Sequence, residues 1–590
     1  MSTESADRKQ GAAWHSRPEL QGDFAEPKLR SYLAAGAPAS VSSLRLDNRV
    51  AFIGDGELAS ALSRFAHVAL PLPGDLLESA RPDLLLIGGD WPRAGEPWRD
   101  ALLNVSASAV AQLRGLIARY KALGVPSALW ITGEVATVDA YRHLLDAVDA
   151  VFVPSGTAIA GARTLDAGID VKTHNPFKED ADTFLEDSPW FRFAIDGVHE
   201  LSQLESLGGA LDLLRPLLRF NTWLIDSSYH YQSATIKVHP IFRRRFLGRL
   251  EPGALSFLTK AAYGLFLAST MALNRPAHFR TRAFQAAACK TLVLTDGAGP
   301  DGTGILRCRH GDELCFILTR LLDDEVARIG MAHLAWREVL SSHTLFERLE
   351  TILTAVDVTP VYSAPARPAV NIVMSTVRPE LVPYVLEMYR RQTYESAHLT
   401  VVANGVSVPA DISRLVHDTA NATLCSVPAD RTLGYCMNFG IDQVDTMYWA
   451  KWDDDDIYGP HFLEDQMLQR KYVDFDVAGK AAIFNYFEER DSMHTRNFHL
   501  RDTLSRHVEG GTLLVRNDNR PFPEGGRGGE DKAFVFMARE RGDRIVAGDP
   551  FNFVQVRRAD RSSHTWTRGA HAFNLRGAGR PGLCLENIIL

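Results

Sequence analysis

Cysteine is scarce in this chain of 590 residues: there are six, at positions 289, 308, 315, 425, 436 and 584, with no CxxC pair and no Cys/His cluster. That scatter argues against a disulfide framework and against a thiolate zinc site, and it fits a reducing, cytoplasmic setting. A basic excess is also missing. Lys and Arg number 64 against 72 Asp and Glu, a formal net charge of −8, which argues against a general nucleic-acid binder. Met1 to Ser43 is polar and mixed in charge, lacks the apolar core of a signal peptide and reads as a disordered leader. The most membrane-like run, Leu255 to Leu273, carries Lys260 and is flanked by Pro252 and Pro276. It predicts one buried helix and no transmembrane span. Peripheral association with the inner face of a cell membrane stays compatible with this composition.

What is present is a globular composition, 46% hydrophobic and 23% charged, on a chain long enough for roughly three to four lobes of ~100–200 residues. Between Arg45 and Pro176 the candidate strands Val50–Ile53, Leu84–Ile87, Ser127–Ile131 and Ala150–Val153 alternate with helical patterns such as Val110–Leu123, which stops at Gly124. Alternation of that kind predicts a doubly wound parallel sheet. Gly54-Asp55-Gly56 follows the first strand without the rest of a dinucleotide fingerprint, so it reads as a turn first and a phosphate contact second. Beyond Asp196, Leu201–Leu218 has helical periodicity and Gln285–Leu294 reads as a helix feeding a strand. Nearby, Arg280 and Arg282 are either a diphosphate clamp or ordinary surface charge at a helix start. Thr359-Pro360, Ala364-Pro365 and Arg367-Pro368 break any helix across 357–369, the expected linker.

The densest chemistry is Trp452-Asp453-Asp454-Asp455-Asp456-Ile457-Tyr458-Gly459-Pro460. It follows the apolar run Met447–Ala450 and precedes the helix-like Phe462–Gln469, so the acids fall where a buried strand ends, the usual seat of chemistry in α/β proteins. Adjacent carboxylates repel and cannot be packed dry. Either they form a solvated turn, or a hard divalent cation, Mg²⁺ or Mn²⁺, joins them and in turn binds a substrate diphosphate. Glu530-Asp531, after Gly528-Gly529, reads as an acidic helix start.

Two resemblances organise these observations. Leu273 to Asp296, with Gly311–Leu314, His343–Arg348 and Pro126–Ser155, resembles the nucleotide-sugar half of GT-B glycosyltransferases of the spore-maturation CgeB-like group, over about residues 45–355. In that group an R-x-FEA-x-A-x-G helix leads into a strand ending in Asp. Gln285 stands where the family's Glu would hold the donor ribose, and Lys290 stands for its Gly. Gln keeps hydrogen bonding but loses the charge-assisted pairing. This half is therefore expected to be either an active transferase, with Arg280, Arg282 and Gln285 as second-site candidates, or a degenerate, structural or acceptor-binding module.

Residues 370–567 resemble the GT-A fold of family 2 glycosyltransferases. The motifs are the Ser375–Arg378 turn, Arg391-Gln392, Leu433–Gly440 in place of an N-x-G segment, and the acid run as the DxD element. The resemblance implies that Asp455 and Asp453 bind Mn²⁺ or Mg²⁺ with His564, and that Asp454 lies near the ribose or metal. It implies a cap on the following helix for Asp456, and Asp531 as general base with Glu530 as alternate. Ser375, Thr376, Arg378, Asn404, Arg431, Gly434, Arg558 and Arg561 are the implied donor-binding residues, the two late arginines on phosphate. Asn404 replaces the family's Asp at the uracil or ribose. His507–Val515 is the implied strand beside the acceptor, its glycines admitting a sugar.

The expected architecture is α/β: a GT-B-like pair of Rossmann-like lobes followed by a GT-A domain with a mixed, mostly parallel sheet. Its divisions are a leader 1–43, lobes 44–195 and 196–356, a linker 357–369, the GT-A domain 370–567 and a tail 568–590. The expected activity is inverting, metal-dependent transfer from a nucleotide diphosphate sugar, a UDP-sugar first, to a glycan or lipid-linked glycan in bacterial surface polysaccharide synthesis. The alternatives are a bifunctional enzyme with both sites active, a non-catalytic glycan-binding or scaffold protein, and sugar-phosphate or nucleotidyl transfer.

Overall fold

The computed structural model describes residues 42–73, 81–91, 96–178, 192–197, 213–220, 222–225, 227, 245–248, 252–297, 304–525, 529–559 and 579–590. The class is α/β with mostly parallel sheets, as expected. The chain divides into two compact units, Met1–Pro176 with Leu185–Ala364, and Phe177–Phe184 with Pro365–Leu590.

The first unit holds two six-stranded sheets. In the first, β1 (Arg49–Gly54), β2 (His67–Ala69), β3 (Leu84–Gly89), β4 (Ser127–Ile131), β5 (Ala150–Val153) and β6 (Arg163–Thr164) lie in the order β2-β1-β3-β4-β5-β6, all parallel. β3 and β4 are buried along their whole length, which is why they read as unbroken apolar runs. The helix Ala107–Ala122 starts where Ser106 Oγ accepts from Ala109 N–H, and it buries Leu113, Leu116, Ile117 and Tyr120. Gly124, at φ 70°, turns the chain out of it.

The second sheet runs β12-β11-β10-β7-β8-β9 and is also parallel, from β7 (Phe193–Asp196), β8 (Thr222–Ile225), β9 (Phe246–Gly248), β10 (Gly264–Leu267), β11 (Leu292–Thr295) and β12 (Ile305–Arg307). Here the single buried helix expected at Leu255–Leu273 is corrected. The run is a helix Pro252–Ala261, then β10, then a helix Ser269–Asn274. A central parallel strand is apolar on both faces, so its residues merge with the flanking helices in any hydrophobic count. Most of the candidate helix Leu201–Leu218 lies outside the described residues; its described end passes into a 3₁₀ turn at Arg215–Phe220. The helix Pro276–Ala288 does feed β11. Lys290, in the left-handed region at φ 56°, makes the turn between them, and its ammonium lies 4.6 Å from the Trp336 ring centroid. Left-handed backbone is what a glycine gives without cost. No described helix is long and apolar enough to cross a membrane.

The second unit is built on an eight-stranded sheet in the order β15-β14-β13-β16-β22-β18-β23-β21. Its strands are β13 (Val370–Thr376), β14 (Ala397–Asn404), β15 (Ala422–Val427), β16 (Tyr448–Trp452), β18 (Val477–Gly479), β21 (Thr503–Leu504), β22 (Leu514–Arg516) and β23 (Ile545–Ala547). A five-stranded sheet, β17-β24-β19-β20-β25, accompanies it, from β17 (Ile457–Tyr458), β19 (Ile483–Phe487), β20 (Ser492–Arg496), β24 (Phe553–Arg557) and β25 (Arg580–Pro581). β13 to β16 are mutually parallel, and β22 returns antiparallel beside β16. The helix Leu433–Ile441 packs on this sheet through Gly440, where a Cβ would come within 2.5 Å of Val373 Cγ1. Trp449 of β16 meets the Phe534 ring edge-on at 5.4 Å, tying the helix Glu530–Arg541 to the core.

From β13 the chain adds β14 and β15 on one side, then crosses to add β16 on the other. The carboxyl ends of β13 and β16 therefore flank a topological switch point, where open α/β sheets leave a crevice.

Candidate functional site

The acid run occupies that crevice. Asp453 to Asp456 form the turn between β16 and β17, and the next helix starts only at Phe462, with His461 as its N-terminal cap residue. The cap assigned to Asp456 is therefore corrected. β17 intervenes because Ile457 and Tyr458 pair with Val554 and Phe553 of β24, and Asp456 is buried with its Oδ1 accepting from Val556 N–H at 3.0 Å.

The four acids have distinct partners. Asp454 is buried and receives hydrogen bonds from Thr376 Oγ1 and from Arg378 Nε at 3.2 Å. Burial raises its carboxyl, and Arg378 and Thr376 oppose the rise. Thr376 and Arg378, expected at the donor, thus serve the acid run itself, and Arg378 also reaches Asp455 Oδ2 at 3.0 Å. Asp453 Oδ1 lies 2.5 Å from Lys451 Nζ, whose side chain is 2% exposed. The same ammonium lies 3.4 Å from Asp531 Oδ1. The backbone N–H of Asp453 donates to Tyr458 Oη, which donates to Gly511 O, both at 2.8 Å.

Asp531 sits in the first turn of Glu530–Arg541, after Gly529. Burial raises its carboxyl, while Lys451 draws it down and Asp453 pushes it up. Glu530 is buried. The segment His507–Val515, expected as one strand, is corrected to a short 3₁₀ turn, Gly510–Thr512, followed by β22. Its glycines have a different use from the one expected. A Cβ on Gly510 would lie 2.2 Å from Asp531 Oδ2, and one on Gly511 would lie 2.8 Å from Asp453 Oδ2 and 3.1 Å from Asp456 Oδ2. They make room for carboxylates.

Two of these acids could share a divalent cation; among the described residues of this site no third His, Cys, Asp or Glu ligand joins them. Asp453 Oδ2 and Asp456 Oδ2 approach the same point beside Gly511. Burial, then repulsion from Asp453 and Asp455, holds the Asp456 carboxyl well above the ordinary range. Carboxylates forced together in this way are relieved by a hard cation.

Other expected donor residues lie at neighbouring strand ends. Asn404 closes β14, its Nδ2 donating to Arg431 O at 3.2 Å while its buried Oδ1 has no hydrogen-bond partner. The Arg431 guanidinium lies 4.5 Å from the Tyr435 ring centroid. Ser375 hydrogen-bonds the Cys436 thiol. Gly434 is buried against Pro523, whose carbonyl oxygen would be 1.9 Å from a Cβ, so its glycine is required by packing between protein segments. Arg558 follows β24 and is partly exposed. Arg561 and His564 lie outside the described residues.

In the first unit, Arg280 and Arg282 are neither surface charge nor unengaged clamps. Arg280 Nη1 pairs with Asp166 Oδ1 at 2.7 Å. Arg282 Nε lies 2.6 Å from Asp196 Oδ2, both side chains buried, and its Nη1 donates to Gln285 Oε1 at 2.6 Å. Burial would raise the Asp196 carboxyl, yet Arg282 and the Ser227 N–H hold it below its usual range. The phosphate reading of Gly54-Asp55-Gly56 is likewise displaced, because Asp55 Oδ1 accepts from Leu58 N–H at 2.7 Å and Glu96 Oε1 from Gly56 N–H at 2.9 Å. Lys451 and Tyr458 are the site residues that sequence reasoning passed over. A charge inside the apolar run Tyr448–Trp452 was the available signal.

Against known proteins, residues 225–354 match the family model described as glycosyl transferase-like. No curated protein matches the chain. Among solved structures it is similar to the mannosyltransferase PcManGT from Pyrobaculum calidifontis in complex with GDP-Man and Mn²⁺, at 18% identity over 35% of this chain and 59% of that one, TM-score 0.27. It is also similar to S. aureus TarS 1-349, at 15% identity over 32% of this chain and 60% of that one, TM-score 0.27. For the TarS complex with UDP-GlcNAc the values are 15%, 34%, 62% and 0.29. The chain thus covers less than two thirds of each of these structures. By the family match, residues 225–354 form a glycosyl transferase-like domain.

Proposed function

We propose that the chain is an inverting, metal-dependent glycosyltransferase with its reaction centre in the second unit. The observation that carries this reading is the convergence of the acid run, Arg378, Lys451 and Asp531 in the crevice between the ends of β13 and β16. The glycosyl transferase-like domain at 225–354 supports the class. Asp453 and Asp455, with His564, would hold Mn²⁺ or Mg²⁺, and such an ion would supply Lewis-acid stabilisation of the leaving diphosphate. Asp531 takes the proton of the acceptor hydroxyl, with Glu530 as alternate. As that oxygen bonds the anomeric carbon from one face, the bond to the diphosphate breaks on the other, and the configuration inverts.

Asn404 Oδ1, which has no hydrogen-bond partner, can accept from the N–H of a nucleobase, and a UDP-sugar is the donor proposed first. Arg431, Gly434, Ser375, Arg558 and Arg561 complete the proposed donor site. The acceptor is a glycan or lipid-linked glycan of a bacterial surface polysaccharide. Screening UDP-, GDP-, CDP- and TDP-sugars for hydrolysis with Mn²⁺ or with chelator tests the reading. Turnover is expected with one nucleotide, stimulated by Mn²⁺ and lost in Asp455→Ala. Equal turnover in chelator, or in Asp455→Ala, rejects it.

A second reading keeps both halves active, favoured by the family match spanning Arg280, Arg282 and Gln285. A transfer that survives Asp455→Ala and disappears in Gln285→Ala supports it.

A further inference from the structure

We infer that Lys451 is a positioning residue that ties the cation-binding face of the acid run to the proposed base; this deepens the glycosyltransferase reading and rests on it. Lys451 stands in β16 between the buried residues Trp449 and Trp452. Its backbone N–H donates to Leu513 O at 2.9 Å, which fixes where the side chain departs. The ammonium then hydrogen-bonds Asp453 Oδ1 at 2.5 Å and forms an ion pair with Asp531 Oδ1 at 3.4 Å, outside hydrogen-bond geometry. Those carboxylates arrive from separate elements, the turn after β16 and the start of Glu530–Arg541.

Stability alone does not call for this arrangement. Buried ion pairs are commonly no better than apolar side chains of similar volume, and the same strand already buries Tyr448, Trp449 and Trp452. What an apolar residue cannot do is hold two like charges at one point. Gly510 and Gly511, with their side-chain space filled by Asp531 and by Asp453 with Asp456, bring the carboxylates in, and Lys451 keeps them there. A base and a cation ligand fastened to one ammonium share a fixed separation, the precondition for a base within reach of an acceptor hydroxyl beside the donor. Lys451 exchanges no proton in this role; the acceptor proton goes to Asp531.

The experiment is a double-mutant cycle in the full chain with Lys451→Met, Asp531→Asn and their combination. The readout is UDP release from UDP-glucose, UDP-galactose and their N-acetylhexosamine counterparts with Mn²⁺. Expected are a kcat lowered about 100-fold in Lys451→Met, a donor KM within about threefold of wild type, and a double variant no slower than Asp531→Asn. Lys451→Arg, which restores the charge, is expected to recover kcat at least in part. Multiplying effects, a raised KM with unchanged kcat, or a loss matched by the unfolded fraction overturns the inference. Where Lys451→Met does not fold, Lys451→Gln goes through the same cycle with the same criteria. If wild type turns over none of the UDP-, GDP-, CDP- or TDP-sugars, or Asp531→Asn turns over at the wild-type rate, the glycosyltransferase reading of this centre fails; if another nucleotide is released in place of UDP, the cycle is run with that donor. If Asp531→Asn is inactive while Lys451→Met is unaffected, the role of Lys451 alone fails.

Discussion

Gly510→Ala tests whether the proposed base must stand where it does. Gly510 opens the turn Gly510–Thr512, and its φ lies outside the left-handed region, so alanine meets no backbone objection and the cost is steric. Its Cβ would fall 2.2 Å from Asp531 Oδ2, 2.4 Å from Cγ and 2.7 Å from Cβ. Ordinary contact between such atoms is about 3.5 Å, so the carboxyl has to withdraw by roughly 1 Å. Asp531 has little freedom to do so: it is tied to Lys451, and its helix is anchored by the fully buried Phe534. A shift of this size at a reacting group costs about 100-fold in rate, near 2.7 kcal/mol of barrier. The added methyl also costs about 1–3 kcal/mol of stability through overpacking. The assay is kcat for nucleotide-sugar turnover beside the unfolding midpoint, with Gly525→Ala as control, because a Cβ there meets nothing within 4 Å. A Gly510→Ala enzyme that keeps kcat within threefold of wild type would refute the assignment of Asp531 as base.

Two further outcomes are expected in the first unit. Arg282→Met leaves Asp196 buried without its counter-ion, so the unit should lose about 3–5 kcal/mol in urea unfolding, and Arg282→Met with Asp196→Asn should recover most of it; a loss under about 1 kcal/mol contradicts the pairing. His174 is buried, and burial, then the charges of Arg282, Lys260 and Arg64, push its imidazole down to about 3. The unfolded imidazole binds a proton below about 6.5, so this contribution is intact above that pH and is lost as the pH falls toward 3. The rate of loss is about 1.4 kcal/mol per pH unit. Between pH 6.5 and 5, His174→Gln should therefore lose about 2 kcal/mol less than wild type; parallel pH profiles would contradict a neutral buried histidine.

The strands β1, β3, β4 and β5 were legible because a buried parallel strand is a short unbroken apolar run between turns. The same rule misled at Leu255–Leu273, where a strand buried on both faces is flanked by helices that are equally apolar. In the second unit, the acid run and Glu530-Asp531 are visible as charge patterns, but their relation is not local. Asp456 illustrates the limit: beside Phe462 in the chain it suggests a helix cap, yet its partner Val556 comes from a strand about a hundred residues later that pairs with β17.

Lys451 carries the argument one step further. A lysine inside Tyr448–Trp452 has to find negative charge or leave the strand buried at heavy cost. The neighbouring Asp453 supplies one carboxylate, which sequence proximity makes plain. The other, Asp531, becomes available only because β22 lies beside β16, with Gly510 and Gly511 just before it. The register of β22 on β16 therefore sets the distance between proposed base and acid run. A one-residue slip would exchange the faces of Leu514 and Val515 and move Gly510 away from Asp531. The strand pairing that builds the core of the second unit is thus also what assembles its candidate site.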